Sequence, residues 1–237
     1  MDKDQTKNYL ILVIEDEPSI QEILRKYLEN AGFRTAGCVD GQLALVENQK
    51  LKPDLILLDI KLPRLSGKEI LLKIREKSTT PIIMVTAVVE DGEKLLTLKN
   101  GADDYIIKPF NPNEVVERVK AVLRRTSSFG TTRRIVRIDE LEIDTDTHIV
   151  SINTNDEKRH VIALTPTEYC LLEKMSNFPF KAFSRNELIE TCLSGSDAFD
   201  RVVDSHLSNL RRKIKNVGGV NFVESVRGVG YRLCHVS

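Results

Sequence analysis

Pro53-Asp54-Leu55-Ile56-Leu57-Leu58-Asp59-Ile60-Lys61-Leu62-Pro63 is an unbroken apolar run that stops abruptly at a carboxylate. Turn-forming residues bracket it, so it reads as a strand buried on both faces, the centre of a parallel sheet. Open α/β sheets form their ligand crevice at the C-terminal ends of the strands, where Asp59 stands. Asp also commonly opens a turn, and this stretch alone does not separate the two readings. Three other segments do, because they bring acids, a hydroxyl and a lysine to the same edge.

Upstream, Tyr9 to Ile14 is a short apolar strand closed by Glu15-Asp16-Glu17-Pro18. Pro18 suits a first helical turn, and Ile20, Ile23, Leu24, Tyr27 and Leu28 recur at helical spacing over 18–30, before Gly32. A strand around Arg34–Cys38 and a short helix from Gly41 to about Asn48 lead into the Asp59 strand. Downstream, Ser66-Gly-Lys-Glu69 has capping-box spacing and opens a helix to about Glu76. Pro81–Thr86 is a fourth buried strand, about Glu90 to Asn100 a more polar helix, and Tyr105–Lys108 a fifth strand. Asn111-Pro112-Asn113-Glu114 supplies an N-cap, a proline at the first helical position and a glutamate at the third, starting a helix to about Arg125. Five strands alternating with five helices predict an α/β, doubly wound, five-stranded parallel sheet.

Glu15 and Asp16 end the first strand, Asp59 the third, Thr86 the fourth and Lys108 the fifth. In a parallel sheet all of them share one edge. Three carboxylates in one crevice raise each other's pKa unless a cation sits among them, and a hard, oxygen-ligated ion such as Mg²⁺ is the natural occupant. One carboxylate so neutralised can attack phosphorus and give an aspartyl phosphate. A lysine can pair with a phosphoryl oxygen, and a threonine hydroxyl can hydrogen-bond to another.

Glu15-Asp16, Asp59 with Pro63 and Gly67 behind it, Thr86-Ala87, and Gly101-Ala-Asp-Asp-Tyr-Ile-Ile-Lys-Pro-Phe110 together resemble a response-regulator receiver domain of flavodoxin/CheY-like fold, over about residues 8–126. The resemblance implies that Asp59 accepts a phosphoryl group from a sensor histidine kinase. It implies that Glu15, Asp16, Asp59 and the Lys61 backbone carbonyl hold Mg²⁺, and that Lys108 contacts the phosphoryl group. Thr86 and Tyr105 would form a switch pair, Tyr105 turning inward on phosphorylation. Lys94, Asp103, Asp104, Glu114 and Arg118 place opposite charges on the helix near 90–100, the fifth strand and the helix after it. The resemblance pairs Lys94 with Glu114 and Asp104 with Arg118 across a homodimer, where a solvated face is the plainer reading.

Thr126–Arg134 is polar and aperiodic, a linker. Residues 135–163 alternate in short pieces, suggesting a small antiparallel sheet. Thr165-Pro-Thr-Glu168 and Ser184-Arg-Asn-Glu187 open helices to about Asn177 and Cys192. Residues 200–215 form a third helix with Val203, Leu207, Leu210 and Ile214 in one stripe. A strand pair near Asn221 and over Arg227–Leu233 completes an α+β winged helix-turn-helix. Residues 133–237 hold 15 Lys+Arg and 15 Asp+Glu, so any case for DNA must be local. On the third helix Arg201, Ser205, His206, Ser208, Asn209 and Arg212 lie off the stripe, where a helix in the major groove reads bases and binds phosphates. A positively charged helix C-terminus explains part of this equally well. Leu164–Tyr169, Arg201–Ile214 and Arg227-Gly-Val-Gly-Tyr231 resemble the OmpR/PhoB-type effector domain. That resemblance implies binding to promoter DNA at direct repeats, with Arg227 on the wing, and RNA polymerase as a further partner. Asn111-Pro-Asn-Glu-Val and Asp144-Thr-Asp-Thr-His148 resemble efflux and envelope-stress regulators of the AdeR and BaeR kind.

The expected organisation is a receiver over 1–125, a linker over 126–134 and a DNA-binding domain over 135–237. The chain's 35 Lys+Arg balance 35 Asp+Glu, which removes overall charge as an argument for nucleic acid. With no long apolar segment and no leader-like start, a cytoplasmic protein without a membrane is expected. The four scattered cysteines read as reduced, without metal spacing. Enzymatic turnover beyond phosphotransfer and autodephosphorylation is not expected: an aspartyl-phosphate phosphatase would usually carry an acid at position 61, where this chain has Lys61. A protein-binding scaffold is the other alternative.

Overall fold

In the computed structural model the Asp59 stretch is a strand, Leu55–Asp59 (β3), with every residue buried. The structure describes residues 9–87, 97–98, 100–125, 135–153, 158–193 and 201–234. By its internal contacts the chain divides into two units, Met1–Arg124 and Arg125–Ser237.

In the first unit β3 is joined by Leu10–Ile14 (β1), Arg34–Cys38 (β2), Ile82–Thr86 (β4) and Asp104–Ile107 (β5). The order is β2-β1-β3-β4-β5, and every pairing is parallel. The helices are Pro18–Asn30 (α1), Gly41–Leu51 (α2), Gly67–Arg75 (α3) and Pro112–Arg124 (α4). Ile11, Val13, Leu55, Leu57, Ile83, Val85 and Ile106 form one core with Leu24 and Leu28 of α1 and Val115, Val119 and Val122 of α4. The alternate strand positions Leu12, Ile14, Ile56, Leu58, Ile82 and Met84 are also buried, so both faces are covered, as unbroken apolar strands require. The helix α2 runs to Leu51, beyond the expected Asn48, and closes on Lys52 in the left-handed region. Of the helix expected near 90–100, Thr97 and Leu98 are helical, Asn100 lies in a turn, and 90–96 and 99 lie outside the described residues, as does the segment 126–134.

The second unit opens with an antiparallel sheet of Ile135–Ile138 (β6), Leu141–Asp144 (β7), Ile149–Asn153 (β8) and Arg159–Ile162 (β9). Helices Pro166–Ser176 (α5), Arg185–Cys192 (α6) and Arg201–Asn216 (α7) follow. A second sheet holds Phe183–Ser184 (β10), Val223–Val226 (β11) and Gly230–Leu233 (β12), in the order β10-β12-β11. The pairing of β10 with β12 was not anticipated. It brings the chains so close that a Cβ on Gly230 would collide with the Phe183 carbonyl oxygen. Ser66, Thr165 and Ser184 each close a full capping box with Glu69, Glu168 and Glu187, fixing where α3, α5 and α6 begin.

The structure corrects one reading of the cysteines. Cys170 and Cys192 are joined in a disulfide with Cα atoms 5.6 Å apart, while Cys38 and Cys234 are free. The partners are 22 residues apart in sequence and meet only because α5 packs on α6. Among the described residues no helix is long and apolar enough to cross a membrane.

Candidate functional site

Parallel pairing carries Glu15, Asp59, Thr86 and Lys108 to the C-terminal edge of the first sheet, and the order reverses between β1 and β3, where such sheets open a crevice. Lys108 follows β5 directly. Its backbone N–H donates to the Thr86 carbonyl at 2.7 Å, extending the ladder by one residue, and a cis bond to Pro109 follows. The Lys108 ammonium lies 2.8 Å from Glu15 and 2.6 Å from Asp59. Glu15 is 0% and Asp59 4% exposed, whereas Asp16 is exposed at the mouth. The Lys61 N–H donates to Asp59 Oδ1 at 3.0 Å, which orients that carboxylate.

Burial is the largest influence on Glu15 and pushes its pKa up to about 7; the hydrogen bond from Lys108 opposes this, and the Asp59 charge reinforces it. Burial disfavours the charge on Lys108, but hydrogen bonds to Asp59 and Glu15 together hold its pKa above the ordinary lysine value. One oxygen each from Glu15, Asp16 and Asp59 lie within 4.8 Å of one another. An octahedral Mg²⁺ with ligands at about 2.0–2.1 Å spans roughly that separation, and its preferred donors are carboxylate oxygens. These residues therefore fit Mg²⁺.

Gly67 holds the crevice floor. Its N–H donates to the Ile60 carbonyl, and a Cβ there would collide with the Asp59 carbonyl oxygen. Thr86 and Tyr105 are both buried. Met84 is the register partner of Tyr105, so Thr86 and Tyr105 lie diagonally on one face of the sheet. Tyr105 lies inside, the position expected of the switched state.

The second unit presents a different surface. On α7 the exposed positions among the described side chains are Ser208, Arg212, Lys215 and Asn216, and Arg227 is exposed beside the β11–β12 turn. Gly228 in that turn has φ +77°, a conformation that favours glycine. Three of the expected DNA contacts are corrected: Ser205, His206 and Asn209 are buried. His206 falls one turn from Val202, Val203 and Leu210, within the apolar stripe rather than beside it. Ser205 and Asn209 border Val202 at helical spacing and are covered with it. Arg201 begins α7, and its side chain lies outside the described residues.

Comparison with known proteins agrees with both halves. Residues 11–120 match the response regulator receiver domain family and 158–233 match the family described as transcriptional regulatory protein, C terminal. The chain is 38% identical to the transcriptional regulatory protein ResD of Bacillus subtilis over 238 residues, covering 97% of each. It is likewise 38% identical to the DNA-binding response regulator MtrA of Mycolicibacterium smegmatis, over 96% of this chain and 97% of that one. A solved RitR mutant superposes with a TM-score of 0.74 at 27% identity, over 97% of this chain and all of that one. The chain belongs to the OmpR/PhoB-type response regulators.

In this response regulator the charges expected to pair between subunits are already paired inside one chain. Arg118 is buried and lies 3.3 Å from Asp104 and 2.8 Å from Glu114. Asp103 is corrected outright: it is fully buried, 2.9 Å from Arg75 of α3, and accepts from the Ile82 N–H. Lys94 lies outside the described residues. Sequence reading also missed what anchors the effector helix. Lys213 reaches from α7 to Glu168, 2.7 Å away in the capping box of α5. The Tyr231 hydroxyl donates to Asp204 at 2.7 Å, Asp204 pairs with Arg185, and Arg185 and Arg211 stand over the Tyr231 ring. Basic residues near the helix thus divide into those holding it and those facing outward, a division that composition hides.

Proposed function

We propose that Asp59 is the phosphoacceptor through which a cognate sensor histidine kinase controls DNA binding by this response regulator. The observation that carries this is the Lys108 ammonium seated between Glu15 and Asp59 at the sheet's switch point. An Asp59 oxygen attacks the phosphorus of a phosphohistidine; the O–P bond forms, the N–P bond breaks, and its electron pair stays on the imidazole. Lys108 then moves from carboxylate to phosphoryl oxygen, and the buried Thr86 hydroxyl bonds another. Glu15, Asp16, Asp59 and the Lys61 carbonyl would hold Mg²⁺, which would neutralise the clustered carboxylates and the incoming phosphoryl charge. Autodephosphorylation is the only turnover proposed.

Phosphorylation adds roughly −1.5 to −2 charge at this edge. Thr86 and Tyr105 share a sheet face and transmit the change to β5 and the neighbouring helices. We place the dimer surface there: Glu114 has a half-exposed side chain and is available to Lys94, while Asp104 and Arg118 exchange their internal pairing for an intersubunit one. A dimer raises the local concentration of two tethered effector domains, which suits direct-repeat promoter sites. Arg201, Ser208, Arg212 and Arg227 are the proposed DNA contacts, and RNA polymerase is a further partner. We assign the receiver to 1–125, the linker to 126–134 and the DNA-binding domain to 135–237, in a cytoplasmic protein.

The direct test is phosphoryl incorporation from a labelled donor with Mg²⁺. One base-labile phosphoryl group per chain, absent in Asp59→Asn and without Mg²⁺, is expected. Equal incorporation in Asp59→Asn would overturn the assignment.

A further inference from the structure

The disulfide links two helices of the second unit. Cys170 is on α5, and Cys192 is the last residue of α6. The chain leaves α6 at Leu193 and enters α7 at Arg201, so Cys192 stands at the end of the helix that precedes α7. Helix α5 touches both α6 and α7. A bond from α5 to the end of α6 therefore ties together the two helices that precede α7. The two residues are also unequally exposed: Cys192 is 0% exposed, and Cys170 is partly exposed. That asymmetry suits an accessible attacking thiol backed by a sheltered resolving one.

We propose that Cys170 and Cys192 form a reversible thiol–disulfide switch that stiffens the helix-turn-helix, with the disulfide form binding DNA more tightly. The inference rests on the DNA-binding reading of α7. The oxidant is a peroxide. The Cys170 thiolate attacks one peroxide oxygen; the S–O bond forms, the O–O bond breaks, and the departing hydroxide takes a proton to become water. The Cys192 thiolate then attacks the resulting sulfenic sulfur; the S–S bond forms and a second hydroxide leaves as water. Two thiols lose two electrons and hydrogen peroxide becomes two waters. Low-molecular-weight thiols reverse the step by exchange at Cys170, the more exposed residue of the pair, becoming a disulfide themselves. In a reducing compartment such a bond is transient, which makes the pair a sensor rather than a permanent staple. Closing a loop of this length restricts the loosened states of the domain, so the free helix pair has less freedom to lose on binding.

The test uses the full chain, oxidised with stoichiometric hydrogen peroxide or reduced with dithiothreitol, each with and without a phosphoryl donor. Alkylation followed by mass spectrometry identifies the linked cysteines. Fluorescence anisotropy at fixed salt measures binding to DNA from upstream of its own gene. Expected are a Cys170–Cys192 linked peptide, a melting temperature higher by roughly 10 °C or more, and a three- to tenfold lower Kd, all reversed by dithiothreitol. Cys170→Ser and Cys192→Ala each keep the reduced protein's affinity and lose the redox response. Failure to link, linking with unchanged or weaker binding, or a redox response that persists in both variants would overturn the switch. Binding unaffected by oxidation leaves the DNA reading intact, whereas binding in neither redox state overturns the DNA reading and the switch with it.

Discussion

Glu15 retains its proton to about pH 7 because burial outweighs its hydrogen bond from Lys108. An ordinary glutamate ionises near pH 4.5, so between these values the folded chain holds a proton that the unfolded chain has lost. The stability contributed by this group is full below that window and falls as pH rises through it. Mg²⁺ needs the ionised carboxylate, so it is expected to raise the melting temperature more at pH 7.5 than at pH 5. Thermal denaturation at both pH values checks this, and equal shifts would contradict it. Removing the ammonium with Lys108→Ala leaves Glu15 and Asp59 facing each other, at a cost of about 1–3 kcal/mol in metal-free protein at pH 7.5. Denaturant titration should show that loss shrink when Mg²⁺ is added. The gathering of Glu15, Asp59, Thr86 and Lys108 was legible in the sequence because each ends an apolar run, and a parallel sheet has one C-terminal edge. Asp103 was not: a carboxylate beside another carboxylate looks solvated until Arg75, 28 residues earlier, is seen to turn back onto it.

The helix α7 shows the same limit one level up. Its length, apolar stripe and capped neighbours follow from local patterns, and the three capping boxes formed where their spacing placed them. Which polar side chains face outward did not follow, because burial spreads past the stripe to Ser205, His206 and Asn209. Arg212→Ala should weaken DNA binding and lower the slope of log K against log salt by about one, as loss of one phosphate contact does. His206→Ala should instead destabilise the second unit by about 1–3 kcal/mol while leaving the salt slope unchanged. A reduced slope in His206→Ala would place that imidazole on DNA after all. Glu168→Gln removes the carboxylate that meets both the Thr165 N–H and Lys213, and is expected to cost about 2–3 kcal/mol. The β10–β12 pairing and the Cys170–Cys192 bond join segments far apart in sequence, and local spacing carries no information about such meetings.

For the molecule as a whole, balanced charge concealed a division of labour: acids gather at one sheet edge of the first unit, and outward-facing cations mark one helix and one turn of the second. Phosphorylation at Asp59 is the proposed link between them. The most direct measurement is binding to DNA from upstream of its own operon, with and without a phosphoryl donor and Mg²⁺, for the unaltered chain and for Asp59→Asn. Tighter binding on phosphorylation, accompanied by dimerisation and absent in Asp59→Asn, is expected. Equal binding in every state would contradict phosphate control while leaving DNA recognition in place.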